Sequence, residues 1–312
     1  MADNTVTQNI EDFNWFSNNG IFMPMINDTG RNMFYKQAIE ENVQGRTVVD
    51  IGTGTGFLSV LAAKAGAEKV YAIEMDPGRA KYAETMFKKV GLDNIITVVN
   101  DNFLNTDIPA DIYVSETIGT QIFNENIVEI ASHALKNGGT FIPGRFEIWA
   151  TVYQNHPIFQ LTQAKSGAYE FQPDINIDPT FEQTINQDFQ KQHPLDSTLY
   201  RANTINGLFT MLPRFTDLKL TQLYKTESIT VDLNQPVDLS QVKFTIPASI
   251  NRPLGICIVI FWRAITGDIV MNVTDTWWGN PDRVILPRMR KDTTTDVQCW
   301  YDPTILDWRF SF

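Results

Sequence analysis

The chain has 312 residues, of which 43% are hydrophobic and 20% charged, and its formal net charge is −11. That length suits one large or two ordinary domains, and the acidic balance disfavours nucleic-acid binding while fitting a cationic substrate or simply a solvated surface. No apolar run reaches the ~18 residues of a membrane helix, and the polar, acidic start MADNTVTQNIEDF is unlike a secretory signal. Residues 1–46 read as a helical cap segment, with helical character at 31–43. From 47 to 143, strand patterns at 47–51, 70–74, 95–99, 112–115 and 140–142 alternate with helical ones at 57–65, 78–90 and 124–136. This alternation predicts an α/β fold, a doubly wound Rossmann-like sheet that binds ligands beyond the carboxyl ends of its strands. After Pro143-Gly144 short β-rich runs take over, at 146–153, 228–233, 242–246, 255–261 and 268–273. Residues 144–312 therefore read as a β-rich, barrel-like second domain, with an inserted arm near 180–215 and helical character at 179–194. The two cysteines, Cys257 and Cys299, build no disulfide framework. The expected location is a reducing compartment, the cytoplasm (a host's cytoplasm for a viral source). No Cys/His cluster has zinc spacing, so no metal site is expected.

The run VVDIGTGTG at 48–56, followed by VYAIE ending at Glu74, describes a strand, a glycine turn, a helix and a strand that ends in an acid. Gly52, Gly54 and Gly56 let the backbone turn tightly and approach a ligand where a Cβ would collide. Glu74 lies about 20 residues on, where an acid accepts the hydroxyls of a ribose. Such a unit binds an adenosine-bearing cofactor. The spacing is G-x-G-x-G rather than the G-x-G-x-x-G of nicotinamide folds, and Asp50 stands just before the turn. The pattern resembles motif I of the class I S-adenosylmethionine-dependent methyltransferases. That resemblance implies S-adenosyl-L-methionine as cofactor and S-adenosyl-L-homocysteine as its product. Asp50, Gly52, Thr53, Gly54, Gly56, Glu74 and Met75 would form the site. Asp101 follows the third strand, where many such enzymes set an acid against the adenine amino group, and Asn102 shares that place.

Residues 115–125 read SETIGTQIFNE and follow the fourth strand. Glu116 and Glu125 can face each other across a loop with Gly119 between them. Close carboxylates repel, and one has its pKa raised. A guanidinium between them removes the conflict, being planar, permanently charged and able to pair two hydrogen bonds at a time. A plainer reading makes Glu116 a loop acid and Glu125 a first-turn residue favoured by the helix dipole.

Ser115, Glu116, Gly119, Phe123 and Glu125 match, at identical spacing, the "double-E" loop that this segment resembles in the protein arginine N-methyltransferases. Met25, Asp28 and Arg31 are similar to the family's M-x-x-D-x-x-R segment, and LKNGGTFIP at 135–143 to a later one. The likeness spans roughly residues 13–150. It implies methyl transfer to a guanidinium nitrogen of an arginine-containing protein or peptide held by Glu116 and Glu125. It further implies that Arg31 pairs with the cofactor's carboxylate and that Met25 lies near the reacting methyl. Phe16, with Phe13, stands where the family has cofactor-capping tyrosines, and Glu116 also borders the cofactor. A homodimer would form through the arm, with residues 144–312 as the substrate and dimerisation domain. The family's Thr-His-Trp loop, whose His pairs with the acid matching Asp28, has as its nearest text Asp275-Thr276-Trp277-Trp278, without a histidine. Of the histidines present, His133 is expected to pack on a helix. Two other readings stay open: methyl transfer to a small amine or guanidino compound, and a cofactor-binding scaffold without catalysis.

Overall fold

Hydrophobic patterning dictates two kinds of sheet in this chain, and both form. A computed structural model describes residues 28–119, 121–154, 220–250, 256–276, 283–285 and 296–311. Helix α1 (Thr29–Asn42) is capped by Asp28, whose carboxylate accepts from the Arg31 amide at 3.1 Å. Its Arg31, Phe34, Tyr35, Ala38 and Ile39 recur at helical spacing and are buried.

Five strands follow: β1 (Thr47–Ile51), β2 (Lys69–Ile73), β3 (Ile96–Val99), β4 (Ile112–Ser115) and β5 (Thr140–Ile142). They form one parallel sheet in the order β3-β2-β1-β4-β5. Their near-continuous apolar runs suit strands covered on both faces. Between them run α2 (Phe57–Lys64), α3 (Pro77–Lys89) and α4 (Ile127–Lys136). The last helix starts later than position 124, because Asn126 takes a left-handed φ of 61° and holds 122–125 as a turn. Strand order reverses between β1 and β4, so the carboxyl edge opens a crevice there.

The remaining described strands are antiparallel. Strand β6 (Arg145–Gln154) pairs along its whole length with β10 (Ile256–Thr266). The sequence pattern ended β10 at 261, but pairing carries it through Trp262, Ala264 and Ile265, all buried against the sheet. Around this pair lie β7 (Thr221–Lys225), β8 (Ile229–Asp232), β11 (Ile269–Asn272) and β12 (Arg283–Ile285). A separate three-stranded sheet joins β9 (Lys243–Ile246), β13 (Val297–Asp302) and β14 (Asp307–Ser311). Strands β7, β12, β13 and β14 were not anticipated from sequence. The helical insertion at 179–194, the arm near 180–215 and Phe13, Phe16, Met25, Trp277 and Trp278 lie outside the described residues.

The parallel and antiparallel parts share one core. Asn234 stitches their junction. Its carbonyl accepts from the Phe141 amide at 2.7 Å, and its amide donates to the carbonyls of Phe141 and Gly144 at 3.2 and 3.3 Å. Replacing Asn234 with Ala leaves a junction N–H unpaired, so urea unfolding should report a loss of about 1–3 kcal/mol.

Candidate active site

The candidate residues that the structure describes gather at the carboxyl edge of the parallel sheet. The turn after β1 takes positive φ at Gly52 (72°), Gly54 (53°) and Gly56 (87°), a region that side chains strain to enter. Each glycine has its own surroundings. A Cβ on Gly56 would lie 2.4 Å from the Phe87 ring of α3, so helix packing already requires glycine at this position. At Gly52 the nearest atom is the Thr117 methyl, 3.6 Å from such a Cβ, which leaves the position open at its exposed surface.

Asp50 is buried behind this turn. Thr53 and Ser59 donate to its Oδ2 at 2.6 and 2.7 Å, and its Oδ1 has no hydrogen-bond partner among the described residues. Burial pushes its pKa up to about 6, against the lowering effect of those hydroxyls. Asp50 is therefore the internal brace of the glycine turn. Glu74, directly after β2, is held at both oxygens: the Gly54 amide donates to Oε2 and the Asp76 amide to Oε1, each at 3.0 Å. Its position follows from two backbone segments and not from a rotamer preference. Met75 beside it is 71% exposed. Asn100 donates to the Glu74 carbonyl at 2.8 Å, tying the end of β3 to this corner. Asp101 and Asn102 are exposed there. Asp101 accepts from the Asn102 amide at 2.7 Å, and Asn102 accepts from the Leu104 amide at 3.0 Å.

The second half of the site is the loop after β4. The Arg31 Nη1 of α1 lies 3.0 Å from Glu116 Oε2, with both side chains largely buried. Arg31 also donates from Nη2 to the Asn32 side chain at 3.1 Å. The Arg31 guanidinium is thus in contact with Glu116, a partner that the sequence did not reveal. Burial pushes the Glu116 pKa up to about 7; Arg31 opposes the rise, and the charges of Glu125 and Asp28 add to it. This coupling brings Asp28, Arg31, Glu116 and Glu125 into one electrostatic cluster. Glu125 precedes α4 rather than belonging to its first turn. Its side chain is exposed, yet enough protein surrounds the carboxyl to raise its pKa. Gly119 leaves room for the side chains across the loop, because a Cβ there would lie 1.6 Å from Asn124 Oδ1 and 3.0 Å from Glu125 Cγ.

Sequence reading passed over Tyr35, Ser59 and Asn100. Tyr35 is completely buried and donates its hydroxyl to the Ser115 carbonyl at 2.9 Å, locking the start of the glutamate loop. Its place four residues after Arg31, on the buried helix face, was the available signal. His133 lies away from the cluster, with Nε2 2.7 Å from the Thr106 carbonyl and its ring edge-on to Phe103. Thr276 caps the turn after β11, and β11 packs against α1, the helix that Asp28 begins. Among the described residues no group of His, Cys, Asp and Glu could hold a metal, and no helix is long and apolar enough to cross a membrane.

Known proteins share this fold. The family model for ribosomal protein L11 methyltransferase (PrmA) matches residues 34–144. The chain is 32% identical over 153 residues to protein arginine N-methyltransferase 8-B of Danio rerio, covering 46% of this chain and 36% of the relative. It is 31% identical over 154 residues to the arginine N(omega)-methyltransferase of Streptomyces achromogenes subsp. streptozoticus, covering 46% of this chain and 43% of that one. The chain thus spans less than half the length of these curated relatives. Among solved structures, PRMT6 bound to SAH superposes with a TM-score of 0.59 at 17% identity, over 94% of this chain and 98% of that one. The Trypanosoma brucei PRMT1 enzyme-prozyme heterotetrameric complex with AdoHcy gives 0.62 at 17% identity, over 95% and 98%. The chain has the class I S-adenosylmethionine-dependent methyltransferase fold followed by a β-rich part, and it resembles the protein arginine N-methyltransferases.

The glutamate cluster has a measurable signature. Glu116 should titrate near 7, against an ordinary 4.5, in carbon-detected NMR; Arg31→Met should raise that value and Glu125→Gln should lower it. Because the folded state holds this proton more tightly than the unfolded chain, the group favours folding at pH 4.5 and below, and that contribution is lost as pH rises through about 7. The urea midpoint of the protein should accordingly fall relative to that of Glu116→Gln across this window.

Proposed function

We propose that the chain transfers the methyl group of S-adenosylmethionine to a guanidinium nitrogen of arginine in a protein or peptide. The observation that carries this reading is the pair Glu116 and Glu125, coupled in charge, at the same sheet edge as the glycine turn and Glu74. The residues present fit the cofactor. Glu74 is pre-oriented by two backbone amides, and each of its oxygens keeps a lone pair for a ribose hydroxyl. Gly52 leaves the turn open to close approach, and Asp50 and Thr53 hold its shape from behind. Met75, Asp101 and Asn102 would border the adenine side, and Arg31 would reach the amino-acid end while keeping its contact with Glu116. When bound, S-adenosylmethionine supplies an electrophilic methyl carbon, whose bond to sulfur breaks as the bond to nitrogen forms, leaving the electron pair on sulfur.

The chain's own residues prepare the other partner. Arginine is a poor nucleophile because its charge is delocalised and its pKa exceeds about 12. Carboxylates at Glu116 and Glu125 hold one side of the guanidinium and draw positive charge toward the nitrogens they touch. The remaining nitrogen becomes richer in electrons, and the interaction strengthens as the acceptor gains charge, so the transition state is favoured over the ground state. The methylated nitrogen must then lose a proton. Glu116, with a pKa of about 7, is suited to accept it in a site without the Thr-His-Trp histidine. Asp28 caps α1 and adds its negative field to Glu116.

Free arginine is the second substrate reading, favoured by the similarity to the Streptomyces arginine N(omega)-methyltransferase. A homodimer through the arm near 180–215 is part of the same proposal. The deciding experiment is a labelled methyl-transfer assay with glycine–arginine-rich peptides, free arginine and small amines as acceptors. Transfer to peptide arginine is the expected result, and transfer only to amines overturns the reading. Glu125→Gln should reduce kcat/KM for peptide by at least about a hundredfold while leaving cofactor affinity by calorimetry unchanged. In the unaltered protein kcat/KM should rise with pH through about 7 as Glu116 ionises.

A further inference from the structure

Glu125 is the least tethered member of the glutamate cluster. Glu116 rests on Arg31, whereas the carboxylate of Glu125 has no hydrogen-bond or ion-pair partner among the described residues. What fixes its location is its turn. Ile122 and Phe123 are 0% and 1% exposed, and the Asn126 amide donates to the Phe123 carbonyl at 3.3 Å. The Phe123 ring reaches into the β-rich half. It lies edge-on to Phe146 of β6 (6.1 Å between centroids, 81°) and to Tyr301 of β13 (5.1 Å, 79°). Phe146 in turn packs on Trp262 of β10, and Tyr301 on Trp308 of β14. The ring therefore stands where the six-stranded and three-stranded antiparallel sheets meet, two residues before the glutamate that faces the site.

We propose that Phe123 is a positioning residue through which the β-rich half sets the place of Glu125 for the substrate guanidinium. This rests on the arginine-transfer reading for its kinetic consequences, but not for its geometry. A ring held edge-on by two aromatics in a close-packed interior has a single position. Removing it leaves a cavity into which the turn relaxes, and Glu125 moves with the turn. Misplacing a substrate-binding group by about 1 Å costs on the order of a hundredfold in rate. The cofactor half is anchored separately, by Asp50, Thr53, Ser59 and Asn100, and has no need of the ring.

The test compares Phe123→Ala and Phe123→Leu with the unaltered protein, after melting curves establish that each is folded. For Phe123→Ala, kcat/KM for an arginine peptide should fall by about ten- to a hundredfold, with cofactor affinity by calorimetry held within about twofold. Phe123→Leu, which refills most of the space, should recover the larger part of the loss. If the Ala variant does not fold, Phe123→Leu carries the same comparison, with a several-fold fall expected. A second readout needs no turnover: the NMR titration midpoint of Glu116 should drop in Phe123→Ala toward that of Glu125→Gln, since the neighbouring charge has moved away. Unchanged peptide kinetics in a folded Ala variant would overturn the proposal. So would equal losses of peptide and cofactor binding, which would mark general loosening. If the unaltered protein methylates no arginine at all, the transfer reading fails, and an unmoved Glu116 titration then refutes the positioning role independently.

Discussion

Holding negative charge inside a protein edge is the constraint on which this structure turns. Asp28, Asp50, Glu74 and Glu116 are all buried or nearly so, and Glu125 joins them electrostatically. Each buried carboxylate needs partners. Asp50 has two hydroxyls, Glu74 two backbone amides, Asp28 a helix amide and Glu116 a guanidinium. Satisfying the acids also fastens the glycine turn to the corner after β2, and helix α1 to the loop after β4. The compensation at Glu116 is incomplete, and its proton is held near neutrality in consequence.

The β-rich half is more than an attachment. It begins directly after β5, shares the core, and is stitched back by Asn234 and by packing of β11 on α1. Through Phe123 its two sheets reach the loop that carries the glutamates. The division of labour follows from connectivity. The glycine turn and Glu74 are held by groups on the parallel sheet's own turns, whereas the loop that carries Glu116 and Glu125 is wedged against aromatic side chains of the other half.

The parallel half was legible because its signals are local. Apolar runs of four or five residues, glycines at positive φ and a proline at the start of α3 each act within a few residues of where they stand. The β-rich half was only half legible. Strands such as β13 and β14 are made by pairing with distant partners, and β10 extends past its apolar pattern because β6 runs the full length beside it. Long-range pairing of that kind leaves little mark on a single window of sequence. Some contacts of these residues were not legible at all: Gly56 clears the Phe87 ring, and Arg31 lies on Glu116.

The amino-acid sequence by itself determined the residue types and their order along the chain: a glycine turn after β1, an acid after β2, two glutamates with a glycine between them after β4. Their chemistry and their arrival at one sheet edge follow from the alternating pattern, because parallel strands put every such turn on the same side. Only the tertiary structure decided how these groups share charge and what holds them. Burial raises the pKa values of Asp50 and Glu116, Arg31 reaches Glu116 from a helix outside the sheet, and the Phe123 ring of the glutamate loop packs on sheets that begin after it in the chain. Desolvation and packing depend on every neighbour in space, and neighbours in space are what a linear pattern does not record.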